Sequence, residues 1–367
     1  MMLKTAIVTG ANGFIGAHVT RAFLDRGSTV IALGRSKGAA NWEGRVRKAL
    51  SDVPAGANGT GQLLCHEVDL ETPAKDLGLA GIAGTEQGST LLIHIAGDTK
   101  FNPPDPGRQH RINVDSAMRI AEAAAGRIAR MVHVSTTYVA GQRTGLILES
   151  ELNCGQTFWN PYEKSKLDAE EAVTDACSRL GIPLVIVRPS VIINDRRTGR
   201  ASTFTHLNAI VEVIRRIQAH YGISDGEVVN RSVRLRADPM ATPNLAPVDS
   251  IIEPLVRIAL AEAAAGRTFH LCHPEPQPNH EIVDLVCDAI QIKGRLRIEY
   301  TQDIVKPMTH TEEMILRSLR VYAPYLNSRC MFGLSNTREL VPDYDAHFTP
   351  LDAGAIRRII EAQEAPE

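Results

Sequence analysis

The chain has 367 residues, of which 44% are hydrophobic and 22% are charged, a composition typical of a globular protein that excludes a disordered chain or a coiled coil. Its 40 Lys and Arg residues are balanced by 42 Asp and Glu residues, so it lacks the basic excess of a nucleic-acid-binding protein. The length allows one α/β core and a second lobe.

The first apolar stretch starts directly after Lys4, so we expect no signal peptide. No apolar run approaches the roughly 18–20 residues that cross a bilayer. The cysteines are scattered without a C-x-x-C pair, so we expect them to be reduced. His270 and His273 have no second ligand cluster at a metal-binding spacing, so no metal site is expected. Together these features predict a cytoplasmic protein.

Short apolar segments alternate with helix-like segments in the first half of the chain. This alternation predicts an α/β fold with a doubly wound parallel sheet and helices on both faces. The predicted strands are residues 5–9, 29–33, 63–68, 91–95, 131–135 and 184–187, and the predicted helices are 14–26, 111–125 and 162–180. Residues 102–107, which contain three prolines and a glycine, are predicted to form a loop.

A glycine-rich segment, Thr9-Gly10-Ala11-Asn12-Gly13-Phe14-Ile15-Gly16, joins the first predicted strand to the first predicted helix. Gly10 permits a tight turn, Gly13 lets the backbone approach a pyrophosphate, and Gly16 lets the helix pack closely on the strand. The helix N-terminus offers N–H groups and a partial positive charge to phosphates. We therefore predict a Rossmann-type domain whose loop, with Asn12, Phe14 and Ile15, binds a dinucleotide. A purely structural turn is the alternative.

The end of the second predicted strand indicates which dinucleotide binds. An NAD site normally has Asp or Glu there for the ribose 2′-hydroxyl, but this strand is followed by Arg35 and Ser36. A guanidinium can hold a 2′-phosphate through two hydrogen bonds, so the sequence predicts NADP(H), unless Arg35 is only a surface arginine. Asp69 is predicted to meet the adenine, with a simple cap as its alternative role, and Leu70 is predicted to contribute to the cofactor site. The cations that could help Arg35 to bind the 2′-phosphate are Lys37, Arg45 and Arg47.

Tyr162 and Lys166 are four residues apart at the start of a predicted helix, which places both side chains on one face. A neighbouring ammonium lowers the pKa of a tyrosine from about 10 towards the range useful for acid–base catalysis. The fifth predicted strand leads into Thr136, whose hydroxyl could bond a carbonyl oxygen, because ligands bind beyond the C-terminal ends of parallel strands. Asn113 either holds a water beside the lysine or is a satisfied polar residue within a helix.

The pattern changes after residue 190. A long helix is predicted at about 205–220, a strand and a helix within 246–264, and a strand at 268–272. We predict a Rossmann domain formed by residues 1–190 and about 237–275. A smaller, mostly helical substrate-binding lobe is predicted for about 191–236 and 276–367.

The motifs described so far resemble those of the extended short-chain dehydrogenase/reductase family over about residues 5–190. They include the glycine-rich loop, His94-Ile95-Ala96-Gly97, Val134-Ser135-Thr136, the Y-x-x-x-K pair and Arg188-Pro189. The resemblance implies a catalytic tetrad, with the distance to Gly141 favouring Thr136 over Ser135 or Thr137. It also implies cofactor contacts from Ala96, Gly97, Tyr162, Lys166 and Pro189. The implied tetrad is Asn113, Thr136, Tyr162 and Lys166.

Within that family, other segments resemble the fatty acyl-CoA reductases and the thioester-reductase domains that end carrier-protein assembly lines. These segments include Tyr162-Glu163-Lys164-Ser165-Lys166, Pro247-Val248-Asp249, and Tyr325 followed by Asn336-Thr337-Arg338. This resemblance implies NADPH-dependent reduction of an acyl thioester, on CoA or on an acyl carrier protein, to an aldehyde or alcohol.

Three alternatives remain open at this stage. The first is an NADP(H)-dependent ketone or aldehyde reductase or alcohol dehydrogenase. The second is a sugar-nucleotide epimerase or dehydratase, which would hold NAD tightly and is disfavoured by Arg35. The third is a non-enzymatic NADP(H)-binding regulator, which would have no need of the tyrosine and lysine. A homodimer is possible under each of these readings.

Overall fold

The structure is a computed structural model that describes residues 4–56, 59–71, 88–201, 206–220, 231–235, 237–292, 296–300, 307, 309–320 and 322–364. Its strands, in chain order, are β1 (Thr5–Thr9), β2 (Thr29–Gly34), β3 (Leu63–Glu67), β4 (Thr90–His94), β5 (Arg130–Val134), β6 (Gly145–Ile147), β7 (Leu184–Pro189), β8 (Val191–Ile193), β9 (Arg231–Leu235), β10 (Leu245–Pro247), β11 (Thr268–Leu271), β12 (Leu296–Tyr300) and β13 (Cys330–Phe332).

The helices, in chain order, are α1 (Phe14–Asp25), α2 (Trp42–Ser51), α3 (Pro106–His110), α4 (Ser116–Ala124), α5 (Pro161–Leu180), α6 (His206–His220), α7 (Val248–Leu260), α8 (Asn279–Ala289), α9 (His310–Leu319), α10 (Ala323–Leu326), α11 (Ser335–Leu340) and α12 (Ala353–Glu364). Short 3₁₀ turns cover Thr137–Ala140, Glu262–Ala264 and Tyr344–His347. Over the part of the chain that the structure describes, no helix combines the length and the apolar character that a membrane span requires.

The predicted doubly wound fold is confirmed. Seven parallel strands form one sheet in the order β11-β7-β5-β4-β1-β2-β3. The central strands β1, β4 and β5 are buried along their whole length, as required of strands that helices cover on both faces. Thr9 pairs with both Leu33 and His94, so the C-terminal ends of β1, β2 and β4 lie side by side.

The predicted helix at 111–125 is divided in the structure. It consists of α3, a π-helical turn at Arg111–Asp115 and α4. Part of the predicted loop at 102–107 is also helical, because Asp105 caps α3 by accepting a hydrogen bond from the N–H of Arg108 and Pro106 occupies the first turn. The π-helical turn bears Asn113, so the irregular segment belongs to the site.

The hydrophobic core has three main parts. Residues of α1 and α7 cover one face of the sheet, and residues of α4 and α5 cover the other. A separate cluster joins α6, α8 and α12, together with β8 and β9. Tyr344 and Phe348, near the C-terminus, pack into the same core as α1 and α7, and the Tyr344 hydroxyl donates to the carbonyl of Cys272 across 2.8 Å.

Candidate active site

The glycine-rich loop has the geometry that its sequence predicts. Gly10 has a φ of +71°, and a Cβ there would lie 2.8 Å from the backbone N of Ala96. A Cβ on Gly16 would lie 2.0 Å from the carbonyl oxygen of Gly10. Within the described residues, Gly13 is the N-cap of α1 and no side chain caps this end of the helix, which leaves the N–H groups of the first turn available to an anion.

Thr9 connects the ends of β1 and β4 behind this loop. Its Oγ1 accepts hydrogen bonds from the N–H groups of Ile95 (3.1 Å) and Ala96 (3.2 Å), so its own proton is donated to Nδ1 of His94, 2.9 Å away. The ring of His94 stacks on that of His133 with centroids 5.6 Å apart. Burial lowers the pKa of both imidazoles, that of His94 to about 3, and the nearby Lys166 ammonium adds to the effect.

A cavity of about 720 Å³ opens at the C-terminal ends of β1, β4, β5 and β7. This is the edge at which ligands bind in open α/β sheets. The cavity brings together most of the residues predicted from the sequence: Gly10, Asn12, Gly13, Phe14, Ile15, Gly16, Ala96, Gly97, Thr136, Tyr162, Lys166 and Pro189.

Tyr162, Lys166 and Thr136 line one part of this cavity. Lys166 is 5% exposed, and its Nζ donates to the carbonyl of Val134 across 2.8 Å. The Thr136 hydroxyl donates to the carbonyl of Pro189 at 3.3 Å and also forms a hydrogen bond with Tyr162. Ser135 lines the cavity as well, but the contact with the tyrosine is made by Thr136, the hydroxyl residue that the sequence favours.

Burial controls the protonation of Tyr162 and Lys166. It lowers the pKa of Lys166 to about 8, and Glu170 opposes that change. Burial raises the pKa of Tyr162 above its usual value near 10, whereas the hydrogen bond with Thr136 lowers it. The sequence led us to expect a lowered tyrosine pKa, and in this structure burial outweighs that effect. The phenol is therefore protonated at neutral pH, as a proton donor must be.

Asn113 does not line the cavity among the described residues, because its side chain is fully engaged behind it. Its Oδ1 accepts from the N–H of Asp98 at 2.7 Å, and its Nδ2 donates to the Asp98 carbonyl (3.0 Å) and to the Ser165 hydroxyl (2.8 Å). Ser165 in turn donates to the carbonyl of Tyr162 at 2.8 Å. The side chain thus matches the satisfied polar residue that we considered, and it supports the backbone of Tyr162 through Ser165.

A second cavity of about 180 Å³ adjoins the first and shares Gly10, Asn12 and Ala96 with it. Its other walls include Arg35, Asp69, Leu70 and Ile112. The two cavities form one groove that crosses the phosphate loop, which is the shape that an extended dinucleotide requires. Ser36 does not line this groove among the described residues; its hydroxyl accepts from the N–H of Trp42 at 3.0 Å.

Arg35 is held by two carboxylates that the sequence places far from it. Its Nη1 lies 2.8 Å from Oδ2 of Asp69, and its Nη2 contacts Glu71. Arg108 also binds Glu71 at 2.7 Å. Arg45 donates to the carbonyl of Arg35 at 2.5 Å, and within the described residues it forms no ion pair. The positive charge of Arg45 is therefore less compensated than that of Arg35.

Several cavity residues were missed by sequence reasoning. Phe101, Tyr138 and Tyr322 form an aromatic wall, and Ile192 contributes from β8. The Phe101 ring lies 5.9 Å from that of Tyr162 and 6.2 Å from that of Tyr322. These contacts join segments distant in sequence, and aromatic residues in segments predicted as irregular gave no local signal. Across the described ranges, no three His, Cys, Asp or Glu side chains are grouped in a way that could hold a metal ion.

Comparison with known proteins identifies the family to which the chain belongs. A family model described as "Male sterility protein", an NAD-binding family, matches residues 8–253. The nonribosomal peptide synthetase asaC of Aspergillus flavus is 25% identical over 298 residues, and the match covers 75% of this chain but 26% of the synthetase. GDP-6-deoxy-D-mannose reductase of Pseudomonas aeruginosa is 24% identical, with 82% of this chain and 84% of the reductase covered.

The fold also matches a solved structure over nearly its whole length. The terminal R domain from the myxalamid PKS-NRPS biosynthetic pathway superposes with a TM-score of 0.74 at 22% identity, covering 99% of this chain and 90% of that domain. The chain therefore belongs to the male sterility protein family of NAD-binding proteins, within the extended short-chain dehydrogenases/reductases, and it is an oxidoreductase.

Proposed function

We propose that this chain is an NADPH-dependent reductase of acyl thioesters, on CoA or on a carrier protein, and that its first product is an aldehyde. The observation that carries the proposal is the presence of Tyr162, Lys166 and Thr136 in one cavity that begins at the phosphate loop. The likeness to a peptide synthetase and to a terminal R domain supports the thioester as the substrate class.

The groove fits a dinucleotide cofactor. The first turn of α1 would hold the diphosphate, Asp69 and Leu70 would border the adenosine, and Pro189 and Lys166 would border the nicotinamide end. Bound NADPH would supply the hydride that adds to the carbonyl carbon.

The side chains of the cavity would stabilise the negative charge that develops on the carbonyl oxygen and would supply the proton that this oxygen receives. Thr136 would hydrogen-bond the carbonyl oxygen, and Tyr162 would donate its phenolic proton to that oxygen as the C=O bond becomes a C–O bond. The Lys166 ammonium would stabilise the phenolate that remains. The hemithioacetal then breaks its C–S bond, re-forms the C=O bond and transfers its hydroxyl proton to sulfur, which yields an aldehyde and a free thiol.

NADPH is the proposed form of the cofactor because two guanidinium groups line the adenosine end of the groove. Arg35 is one of them, but Asp69 and Glu71 compensate its charge. Arg45 also lines the groove, and it lies over the ring of Trp42 at 5.7 Å from the centroid. We assign the main contact with a 2′-phosphate to Arg45, with Arg35 as its neighbour.

A second candidate is a reductase of ketones or aldehydes. Tyr162 and Thr136 can protonate and orient any carbonyl, and GDP-6-deoxy-D-mannose reductase matches most of this chain and most of its own length. In that case the product is an alcohol and no thiol forms.

A substrate panel separates these candidates. Purified protein is mixed with NADPH and, in turn, with acyl-CoAs, acyl-N-acetylcysteamine thioesters, ketones, aldehydes and sugar nucleotides. Oxidation of NADPH with thioesters supports the proposal. Oxidation with ketones or aldehydes alone favours the second candidate. Protein that purifies with bound NAD and interconverts sugar nucleotides contradicts both.

A further inference from the structure

Glu163, the residue after Tyr162, is a fully buried carboxylate in the first turn of α5. Its Oε2 accepts from the N–H of Trp159 at 2.9 Å, and its Oε1 accepts from the hydroxyl of Tyr325 at 2.5 Å. The N-cap residue Asn160 accepts from the N–H of Glu163 at 3.1 Å. The carboxylate is therefore held by two segments of chain, the one that leads into α5 and the one that contains Tyr325, at the point where the tyrosine-bearing helix begins.

Tyr325 approaches this point from α10, more than 160 residues further along the chain. Its hydroxyl accepts a hydrogen bond from Nδ2 of Asn160 at 2.7 Å while it donates to Glu163. Its ring packs edge-on against Tyr138, with centroids 4.7 Å apart, and lies 5.2 Å from the ring of Phe101. Tyr325 thus stands behind two of the rings that form the aromatic wall of the cavity.

We propose that Glu163 and Tyr325 are positioning residues, whose buried hydrogen bond fixes α10 to the first turn of α5 and so sets the position of Tyr162 against the aromatic wall. This inference rests on the proposed function, in which Tyr162 donates the proton. Neither residue lines the cavity among those described, so both act through Tyr162 and the wall.

The charge of Glu163 is part of this role. The titratable groups around it come from four elements: Tyr162 on α5, Tyr138 in the 3₁₀ turn, Tyr325 on α10 and Cys330 in β13. Burial raises the pKa of both other tyrosines and of the thiol, so these stay protonated. Burial also raises the pKa of Glu163, whereas its hydrogen bonds with Tyr325, Trp159 and Asn160 lower that pKa and favour the negatively charged form. That charge raises the pKa of Tyr162 further and favours its protonated form.

The two hydrogen bonds to the carboxylate use different oxygens, Oε2 for the N–H of Trp159 and Oε1 for the hydroxyl of Tyr325. A glutamine has one acceptor oxygen and an NH2 group that only donates, so Glu163→Gln loses one of these hydrogen bonds together with the charge. Burying an ionised group costs free energy, and the hydrogen bonds offset that cost.

The test compares three variants of the full chain. Glu163→Gln removes the charge and keeps the size, and Tyr325→Phe removes one hydroxyl and keeps the charge. Glu171→Gln is the matched control, because it makes the same change on the same helix at a residue whose contact is the Asn153 amide at 2.8 Å. NADPH oxidation is measured with the best thioester of the panel across pH 6–10, together with NADPH binding and thermal unfolding.

Both test variants should lower kcat by about tenfold while the KM for NADPH stays within about twofold. Glu163→Gln should also move the alkaline limb of the pH profile to lower pH, because the coupled Tyr162–Lys166 pair loses a nearby negative charge. Tyr325→Phe keeps the Glu163 carboxylate and should leave that limb at its wild-type pH. The double variant should be no slower than the slower single variant, since both disrupt one hydrogen bond.

The inference is overturned if both variants fold and retain the wild-type kcat and pH profile, or if they lose stability alone. If Glu163→Gln does not fold, Tyr325→Phe decides the matter through its kcat. Failure of the proposed function gives a different result: the wild-type protein then shows no thioester-dependent NADPH oxidation, or Tyr162→Phe retains full turnover.

Discussion

The ammonium of Lys166 donates to the backbone carbonyl of Val134 across 2.8 Å, at the last residue of β5. This contact fixes the lysine of α5 against the C-terminal edge of the sheet, one helical turn beyond Tyr162. It also places a buried cation beside the stacked imidazoles of His94 and His133, which must then remain neutral.

The pH dependence of turnover should report the protonation state of Lys166. Burial lowers its pKa to about 8, so the ammonium is present at pH 7 and is lost as the pH rises through 8. We expect kcat/KM to fall with an apparent pKa near 8 in a profile taken from pH 6 to 10. Lys166→Arg should stay charged throughout and remove that limb, at reduced kcat. A limb near pH 10.4 in the wild-type protein would contradict the assignment.

Cofactor preference should depend on Arg45. Arg45→Ala is expected to raise the KM for NADPH by about tenfold and to leave that for NADH nearly unchanged, because only NADPH has a 2′-phosphate to lose a charged partner. Arg47→Ala is the control, since Arg47 lies on the same helix but pairs with Glu43 at 2.7 Å. Equal effects of Arg45→Ala on both cofactors would show that Arg45 does not read the phosphate.

Stability should fall in mild acid. Burial lowers the pKa of His94 and His270 to about 3, whereas both titrate near 6.5 in the unfolded chain. Below pH 6.5 the unfolded state binds protons that the folded state does not, so the free energy of unfolding decreases as the pH falls.

Each of these two histidines should cost about 2 kcal/mol of stability at pH 5. Denaturant titrations at pH 7, 6 and 5 measure the slope. His270→Gln should reduce it, and His110→Gln, at an exposed side chain, should not. A stability that is flat from pH 7 to pH 5 would show that these imidazoles are not buried in their neutral form.

The close packing of the phosphate loop can be tested at Gly16. In Gly16→Ala the added Cβ would lie only 2.0 Å from the carbonyl oxygen of Gly10, so the loop must move. We expect NADPH binding to weaken by about tenfold or more, with a lower melting temperature. Gly333→Ala is the control, because the nearest atoms to its added Cβ lie 3.4 Å away. Normal NADPH binding by the Gly16 variant would show that the loop does not form part of the cofactor site.

Local signals in the sequence predicted the parts of the site that depend on short-range geometry. The turn at Gly10 and the shared helical face of Tyr162 and Lys166 follow from spacing alone, and the structure places all three at one cavity. The parallel sheet could be anticipated because buried apolar segments alternate with helices, whereas the order of its strands was not predicted.

The remaining features depend on contacts between distant segments, which spacing cannot reveal. Glu71 follows β3 and meets Arg35 because β3 lies beside β2, and it also meets Arg108 of α3. Phe101 meets Tyr322 across more than 200 residues of chain. The three prolines within residues 102–107 predicted a loop where α3 begins, although Asp105 before Pro106 is a typical helix start, with an N-cap and a proline in the first turn.

The most direct test of the central claim is the stoichiometry of thiol release. Wild-type protein and Tyr162→Phe are each mixed with NADPH and the best acyl-CoA, and free thiol and NADPH are followed in the same sample. The account predicts that one thiol is released for each NADPH oxidised while the thioester is reduced to the aldehyde. For Tyr162→Phe it predicts a loss of about 10²–10⁴-fold in both rates, although the variant should still bind NADPH. Thiol released without NADPH oxidation, NADPH oxidised without thiol, or a Tyr162→Phe variant at the wild-type rate would contradict it.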